Sequence, residues 1–227
     1  MIIMNIYNQN LQHLLYQKEI SISEFSNEIN IAKQLIMEPT PNELVKIANY
    51  FNLSIDDFLK RALINKNITE NLDIKLLILD VDGTMTDGGM YFTENGDQFK
   101  KYNTKDGMAI KNITKKGIHV GIISHGHKTK VVKDRADLLG IQNVYVGRED
   151  KTTVLKEWCK EMNINLNQVA YIGDDINDTK VMQEVGISAC PADSVRLIRN
   201  IADVILKRKG GDACVREFID DYILLTE

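Results

Sequence analysis

Two carboxylates two residues apart, in Asp80-Val-Asp82-Gly-Thr84, stand directly after the aliphatic run Leu76-Leu-Ile-Leu79. A second acidic group, Gly173-Asp174-Asp175 with Asp178 one turn further on, follows Val169-Ala-Tyr-Ile172. Between them, Ser124 follows Ile122-Ile123, and Lys151 opens a helical stretch. Alone, an Asp-x-Asp-Gly run is as readily a capped turn or a fragment of a calcium loop. The set says more. Carboxylates gathered in one place repel unless a cation lies among them, and oxygen-only ligands favour Mg2+. Mg2+ and a lysine would neutralise the charge of a phosphate, to which a serine hydroxyl would donate a hydrogen bond. One carboxylate can attack phosphorus, while another two residues away acts as acid and base. These residue types fit phosphoryl transfer.

That chemistry requires the residues to meet, and the surrounding pattern supplies the means. After residue 72 the chain alternates short buried-strand signals with helical periodicity. Strands are expected at Leu76–Leu79, Ile118–Ile123, Val144–Val146, Val169–Ile172 and Ala202–Leu206. Helices are expected near 105–116, 128–139, 151–162, 177–184 and 194–200. Alternation of this kind implies βαβ units, a mostly parallel Rossmann-like sheet and helices on both faces. Each candidate residue then lies at the carboxyl end of a strand or in the loop after it, where such sheets place their chemistry. One interruption stands out. Met90-Tyr-Phe-Thr and Gln98-Phe-Lys-Lys-Tyr flank Glu94-Asn-Gly-Asp97, and Asn-Gly between such segments predicts a β-hairpin just after the first strand. The gaps Asp80–Ser124 and Lys151–Asp174 leave no room for a large cap domain. The class is therefore α/β, preceded by a small all-α part, with domains at 1–70 and 71–227.

The second part resembles the haloacid dehalogenase superfamily of phosphatases, through Asp80-Val-Asp82-Gly-Thr84, Ser124, Lys151 and Gly173-Asp174-Asp175-x-x-Asp178. The resemblance implies Asp80 as nucleophile and Asp82 as general acid and base. It implies Mg2+ held by Asp80, the Asp82 carbonyl and Asp174, with Asp175 and Asp178 supporting. Thr84, Ser124 and Lys151 would bind the phosphoryl group. It is closer still to the branch of 3-deoxy-D-manno-octulosonate 8-phosphate phosphatases and their nonulosonate (sialic-acid-type) 9-phosphate relatives. The residues that carry it are Thr86-Asp-Gly88, Asn95–Tyr102, Asp106-Gly107, Gln168–Asp178 and Lys209–Glu217, over roughly residues 73–223. The implied substrate is a sugar-acid phosphate. His125, His127, Lys128 and Arg216 are candidates for its far, carboxylate-bearing end. The run Ser124-His-Gly-His-Lys128 is one residue longer than the branch's pattern, which leaves the particular sugar acid open. Members of this branch complete their uncapped sites by oligomerising. A homotetramer is expected, with the Lys207-Arg-Lys-Gly-Gly211 stretch flexible enough to reach a neighbour's site.

Residues 9–61 resemble the phage-repressor type of helix-turn-helix domain, with about five short helices. Ser21 and Ser23 stand where one helix N-cap would, Ser54 where another would, and Pro41 at a first turn. Residues 1–70 hold six basic residues against eight acidic ones, and only Lys33 lies where a recognition helix would. DNA is thus an unlikely partner, and a protein–protein or oligomer-stabilising module is the better reading. Ile64–Asn71 reads as a linker.

Composition bounds the rest. Of 227 residues, 44% are hydrophobic and 26% charged, with a net charge of −4, so neither extended disorder nor electrostatic binding to nucleic acid or membrane is indicated. No segment approaches the ~20 apolar residues of a membrane span. The start, Met1-Ile-Ile-Met4, lacks a basic lead and a cleavage site. Three widely spaced cysteines, Cys159, Cys190 and Cys214, suit neither a disulfide framework nor a metal site, and fit a reducing cytoplasm. Two other functions remain open: a phosphatase of other small phosphomonoesters, and a DNA-binding regulator with a ligand-sensing second part.

Overall fold

The four aliphatic residues Leu76–Leu79 form strand β1, and every one of them is fully buried. The reason is topological. β1 pairs in parallel with β4 (His119–His125) on one side and β6 (Val169–Ile172) on the other, at the middle of a six-stranded sheet. The order continues outward to β5 (Asn143–Gly147) beyond β4, and to β7 (Ile187–Cys190) and β8 (Val204–Ile205) beyond β6. All five pairings are parallel. The computed structural model describes residues 2–18, 20–60, 73–95, 98–126 and 129–224. The linker expected at Ile64–Asn71 lies outside them.

Side chains alternate across a strand, and the core splits accordingly. Leu77 and Leu79 face a layer with Ile110, Ile113, Val132, Ala136, Val215 and Phe218. These come from helices that cover one side: α6 (Thr104–Lys115), α7 (Thr129–Leu139) and α11 (Cys214–Phe218). Leu76 and Ile78 face Val154, Leu155, Val181, Met182 and Ile198 from α8 (Lys151–Met162), α9 (Thr179–Glu184) and α10 (Arg196–Ile201). Emptying so closed a position, as in Ile78→Ala, costs about 2–5 kcal/mol.

The sheet is the mostly parallel one expected, with one strand more. Ile187-Ser-Ala-Cys190 is short, has a single β-branched residue and lies between Gly186 and Pro191, so it carries little strand signal. It is fixed by burial on both faces and by Ser188, whose hydroxyl donates to Asp203 Oδ2 at 2.7 Å. The hairpin is present: β2 (Tyr91–Phe92) pairs antiparallel with β3 (Gln98–Phe99), and a bridge between Thr86 and Tyr102 closes its base. Gly96 and Asp97 of its expected turn lie outside the described residues.

The chain divides into two compact units, Met1–Lys66 and Asn67–Glu227. The first contains α1 (Ile2–Gln17), α2 (Ile22–Ile29), α3 (Lys33–Met37), α4 (Pro41–Tyr50) and α5 (Ile55–Lys60). Ser21 closes a capping box: its hydroxyl accepts from Glu24 N (3.2 Å), and Glu24 accepts from Ser21 N (2.7 Å). Tyr7, Leu11, Phe25, Ile36, Ile47 and Phe58 make the core of this unit. Tyr7 donates to the Ile36 carbonyl and Asn10 to that of Phe58, which ties α1 to α3 and α5. No helix among the described residues is long and apolar enough to cross a membrane.

Since each unit has its own core, a chain beginning at Asn67 is expected to unfold cooperatively in a thermal melt and to keep the phosphatase rate that the resemblance implies. An insoluble or inactive product would show that the first unit completes the second.

Candidate active site

In a sheet whose chain runs outward from β1 in one direction and then returns to its other side, a crevice opens beyond the strand ends. Asp80 is the first residue past β1, 5% exposed, with its N–H donated to the Ile172 carbonyl at 3.0 Å. The turn Val81–Met85 follows, with Gly83 at φ +84°. A side chain at Gly83 would be impossible on two counts: the left-handed backbone, and a Cβ only 2.0 Å from Asp174 Oδ2. This glycine lets the loops after β1 and β6 touch. Thr84 donates to Asp174 Oδ1 at 3.3 Å across that contact.

Lys151, at the start of α8, is almost wholly buried and joins the two loops. Its Nζ donates to Asp80 Oδ1 at 2.7 Å and to Asp178 Oδ1 at 2.6 Å. Asp178 is saturated: Oδ1 also accepts from the Tyr171 hydroxyl (2.6 Å), and Oδ2 from the backbone N–H groups of Asp174 (3.0 Å) and Asp175 (3.2 Å). Ser124 is buried on β4, two positions beyond Ile122, the register partner of Leu79, and so at the same edge as Asp80.

Asp80, Asp174 and Asp178 offer carboxylate oxygens that lie within 4.8 Å of one another. Burial, followed by the charges of Asp80 and Asp178, pushes the Asp174 carboxyl up to about 8. Asp80 is raised to about 6 by burial, against the pull of Lys151. Burial alone would lower Lys151, but Asp80 and Asp178 hold it above its ordinary value. Lys151 is one positive charge beside three gathered carboxylates, and the all-oxygen donor set fits a hard divalent cation as the further charge. Because Asp178 is engaged by four donors, Asp80 and Asp174 are the side chains free to take it.

Asp82 lies on the turn with its side chain 44% exposed and pairs with Lys100. Asp175 caps the short turn Ile176–Asp178 through its own carboxylate and Ile176 N (2.7 Å). His125 lies between the Glu149 carbonyl (2.9 Å) and the Asn177 amide (3.3 Å). His127 and Lys128 lie outside the described residues. Arg216 is not brought to the carboxylates: its guanidinium pairs with Asp220, and its N–H donates to buried Asp106 at 2.8 Å.

The Lys207–Gly211 stretch corrects an expectation. It is not a loose arm but a strap across its own chain's Val81–Met85 turn. Lys207 and Arg208 donate their N–H groups to the Glu217 carboxylate, Gly210 donates to Asp193, and Gly211 donates to the Thr84 carbonyl at 3.0 Å. A Cβ on Gly210 would lie 1.9 Å from the Gly83 carbonyl oxygen. The glycines serve close approach, not flexibility. Tyr171 and Lys100 are also given no role by the sequence alone. Tyr171 carries a signal in retrospect, as the polar-tipped residue in the otherwise aliphatic Val169–Ile172.

Fold and site together define a haloacid dehalogenase-like hydrolase. The chain matches that family over residues 138–218. It is 39% identical over 172 residues to the 3-deoxy-D-manno-octulosonate 8-phosphate phosphatase KdsC of Yersinia pestis, covering 76% of this chain and 86% of that protein. It is 40% identical over 155 residues to the KdsC of Escherichia coli K12, covering 68% and 81%. The crystal structure of the corresponding phosphatase of Moraxella catarrhalis, in complex with a magnesium ion, a phosphate ion and a KDO molecule, superposes with a TM-score of 0.66 at 32% identity, over 69% of this chain and 90% of that one. The chain belongs to the haloacid dehalogenase-like hydrolases. Within them it is a phosphatase, a hydrolase of phosphoric monoesters, similar to the KdsC enzymes.

The raised carboxyls give a signed pH dependence. In metal-free protein, Asp174 and Asp80 keep their protons at pH values where the unfolded chain, with ordinary values of 3.8, has lost them. The folded state then binds more protons, so stability falls as pH rises from about 4 and levels off past about 8. In EDTA the melting temperature is expected to drop between pH 6 and pH 8. Mg2+ should reverse the drop, and Asp174→Asn should flatten it. A melting temperature in EDTA that rises over that interval would contradict this account of the cluster.

Proposed function

We propose that the protein hydrolyses the phosphomonoester of a 2-keto-3-deoxy sugar acid, 3-deoxy-D-manno-octulosonate 8-phosphate first of all, and releases inorganic phosphate. The observation that carries this is the buried Asp80–Lys151–Asp178 bridge beside Asp174, in a chain similar to the KdsC enzymes along most of their length. A nonulosonate 9-phosphate is the related substrate that the longer loop after Ser124 keeps open.

Asp80 uses its carboxylate oxygen not bound to Lys151 to attack phosphorus. The ester P–O bond breaks, and Asp82 gives its proton to the departing sugar oxygen. Asp82 then takes a proton from water as that water attacks the phosphorus of the aspartyl phosphate, which frees phosphate and restores Asp80. Lys151 and Ser124 hold the phosphoryl oxygens, while the one hydroxyl proton of buried Thr84 is given to Asp174. Asp80, Asp174 and the Asp82 carbonyl would hold Mg2+, which supplies charge neutralisation as negative charge builds on the phosphoryl group.

Among its described residues the second unit supplies no cap domain to the site, and we propose that the protein assembles as a homotetramer through its hairpin. Met90, Phe92 and Phe99 are more than half exposed there, and Tyr91 stacks on Phe99 at 5.3 Å. For the first unit, a helix-turn-helix-like module that binds protein rather than DNA is supported by exposed Leu35 and Met37 on α3, where a DNA reader would carry basic residues. The cysteines Cys159, Cys190 and Cys214 are buried thiols joined by no disulfide, in keeping with a reducing cytoplasm.

Phosphate release across a panel of sugar phosphates is the direct test. Sugar-acid phosphates are expected to exceed glucose 6-phosphate in kcat/KM, and equal values would leave only a generic phosphatase. Asp80→Asn should abolish turnover of every ester with the fold intact, because an amide is a poor nucleophile; substantial residual turnover would exclude the covalent route. Light scattering should report four subunits, and Phe92→Lys with Phe99→Lys should yield smaller species. A wild-type monomer would refute the assembly.

A further inference from the structure

Lys100 follows β3 on the returning arm of the hairpin. Its neighbours Phe99 and Lys101 are exposed, yet its own side chain is only 6% exposed. A lysine is rarely covered to that extent unless it is paired. The partner is Asp82: Lys100 Nζ donates to Asp82 Oδ1. Among the described residues this is the one hydrogen bond the Asp82 carboxyl makes. It is not an ordinary rim pair, whose two ends trade freely with water, because the lysine side chain is largely covered. The backbone at Asp82 is non-helical (φ −77°, ψ 118°) and is followed by the left-handed Gly83, so the carboxyl projects from a turn without support from a regular element. The hairpin starts from the same turn, through the Thr86–Tyr102 bridge, and returns Lys100 to it two residues before Tyr102.

We infer that Lys100 is a positioning residue that aims the Asp82 carboxyl at the leaving-group oxygen, and so makes proton delivery depend on the hairpin. The inference rests on the proposed function, in which Asp82 protonates the departing alkoxide. It separates from a structural role through the leaving group. An alkyl ester must expel an alkoxide and needs the proton, whereas p-nitrophenolate leaves without one. Lys100→Met keeps the length and apolar stem of the buried side chain and removes only the ammonium. In the full-length protein with Mg2+, the single-turnover rate of ester cleavage, the step before the hydrolysis of the aspartyl phosphate that Asp82 also serves, is expected to fall at least ~10-fold on 3-deoxy-D-manno-octulosonate 8-phosphate, a part of the roughly 10²–10⁴-fold that general acid catalysis supplies. Half-saturation by substrate should change little, the same first-turnover cleavage rate on p-nitrophenyl phosphate should fall much less, and Lys100→Arg should recover part of the loss; every comparison that follows is of this cleavage rate. Asp82→Asn sets the reference and should show the same dependence on the leaving group. If Asp82→Asn discriminates between the esters and a Lys100→Met protein that melts like the wild type does not, the inference is overturned while the proposed function stands. If Asp82→Asn itself loses both esters alike, the acid assignment fails and takes the inference with it. Should Lys100→Met not fold, Lys100→Gln carries the same comparison, and its results are read in the same way.

Discussion

The second unit turns on one desolvated cation. Lys151 is buried where β1 and β6 end, and its ammonium is tolerable there only because Asp80 and Asp178 accept from it. Removing one partner from such a pair costs about 3–5 kcal/mol, since the other charge is left uncompensated. The consequence is geometric as much as energetic. The lysine fixes one oxygen of Asp80 and does not bind the other, and it fixes Asp178, whose second oxygen gathers the N–H groups of Asp174 and Asp175. One side chain thereby sets the distance between two loops that come from different strands.

Two further contacts follow from that closeness. The loops after β1 and β6 can meet only because position 83 has no side chain, and the turn so formed presents the Gly83 and Thr84 carbonyls outward. Buried carbonyls need donors. Gly211 N and the Cys214 thiol supply them to Thr84, and Gly210 closes over Gly83. The C-terminal strap is therefore part of the turn's hydrogen bonding, which explains why glycine follows glycine in a segment that is otherwise strongly charged.

What the sequence makes legible follows from where its signals are local. Asp80, Ser124, Lys151 and Asp174 can be read because each follows a strand signal, and parallel sheets bring strand ends together. The hairpin can be read from Asn95-Gly96. Strand β7 cannot, because its residues are small and its place is set by Ser188–Asp203 and by its neighbours. The strap misleads for a related reason: paired glycines indicate freedom in a sequence, but here they mark two backbones in contact. Tyr171 and Lys100 escape because their partners, seven and eighteen residues away, become visible only when the loops are folded.

The hairpin holds the remaining tension. It is an apolar, two-stranded projection, and hairpins of this size are barely stable in water alone. Its base is fixed by Thr86–Tyr102 and by the Lys100–Asp82 pair, while its outer arm shows Phe92 and Phe99 to solvent. An element anchored at the catalytic turn and unsatisfied at its tip is suited to carry information between the two. Covering the tip would lower the cost of ordering the hairpin, and an ordered hairpin holds Lys100 against Asp82. Among its described residues the second unit has no cap domain to exclude water when a phosphoryl group binds, although such exclusion strengthens every charge interaction within the crevice. Whatever covers the hairpin therefore acts on the reaction in two ways: through the solvent it removes and through the carboxyl it steadies.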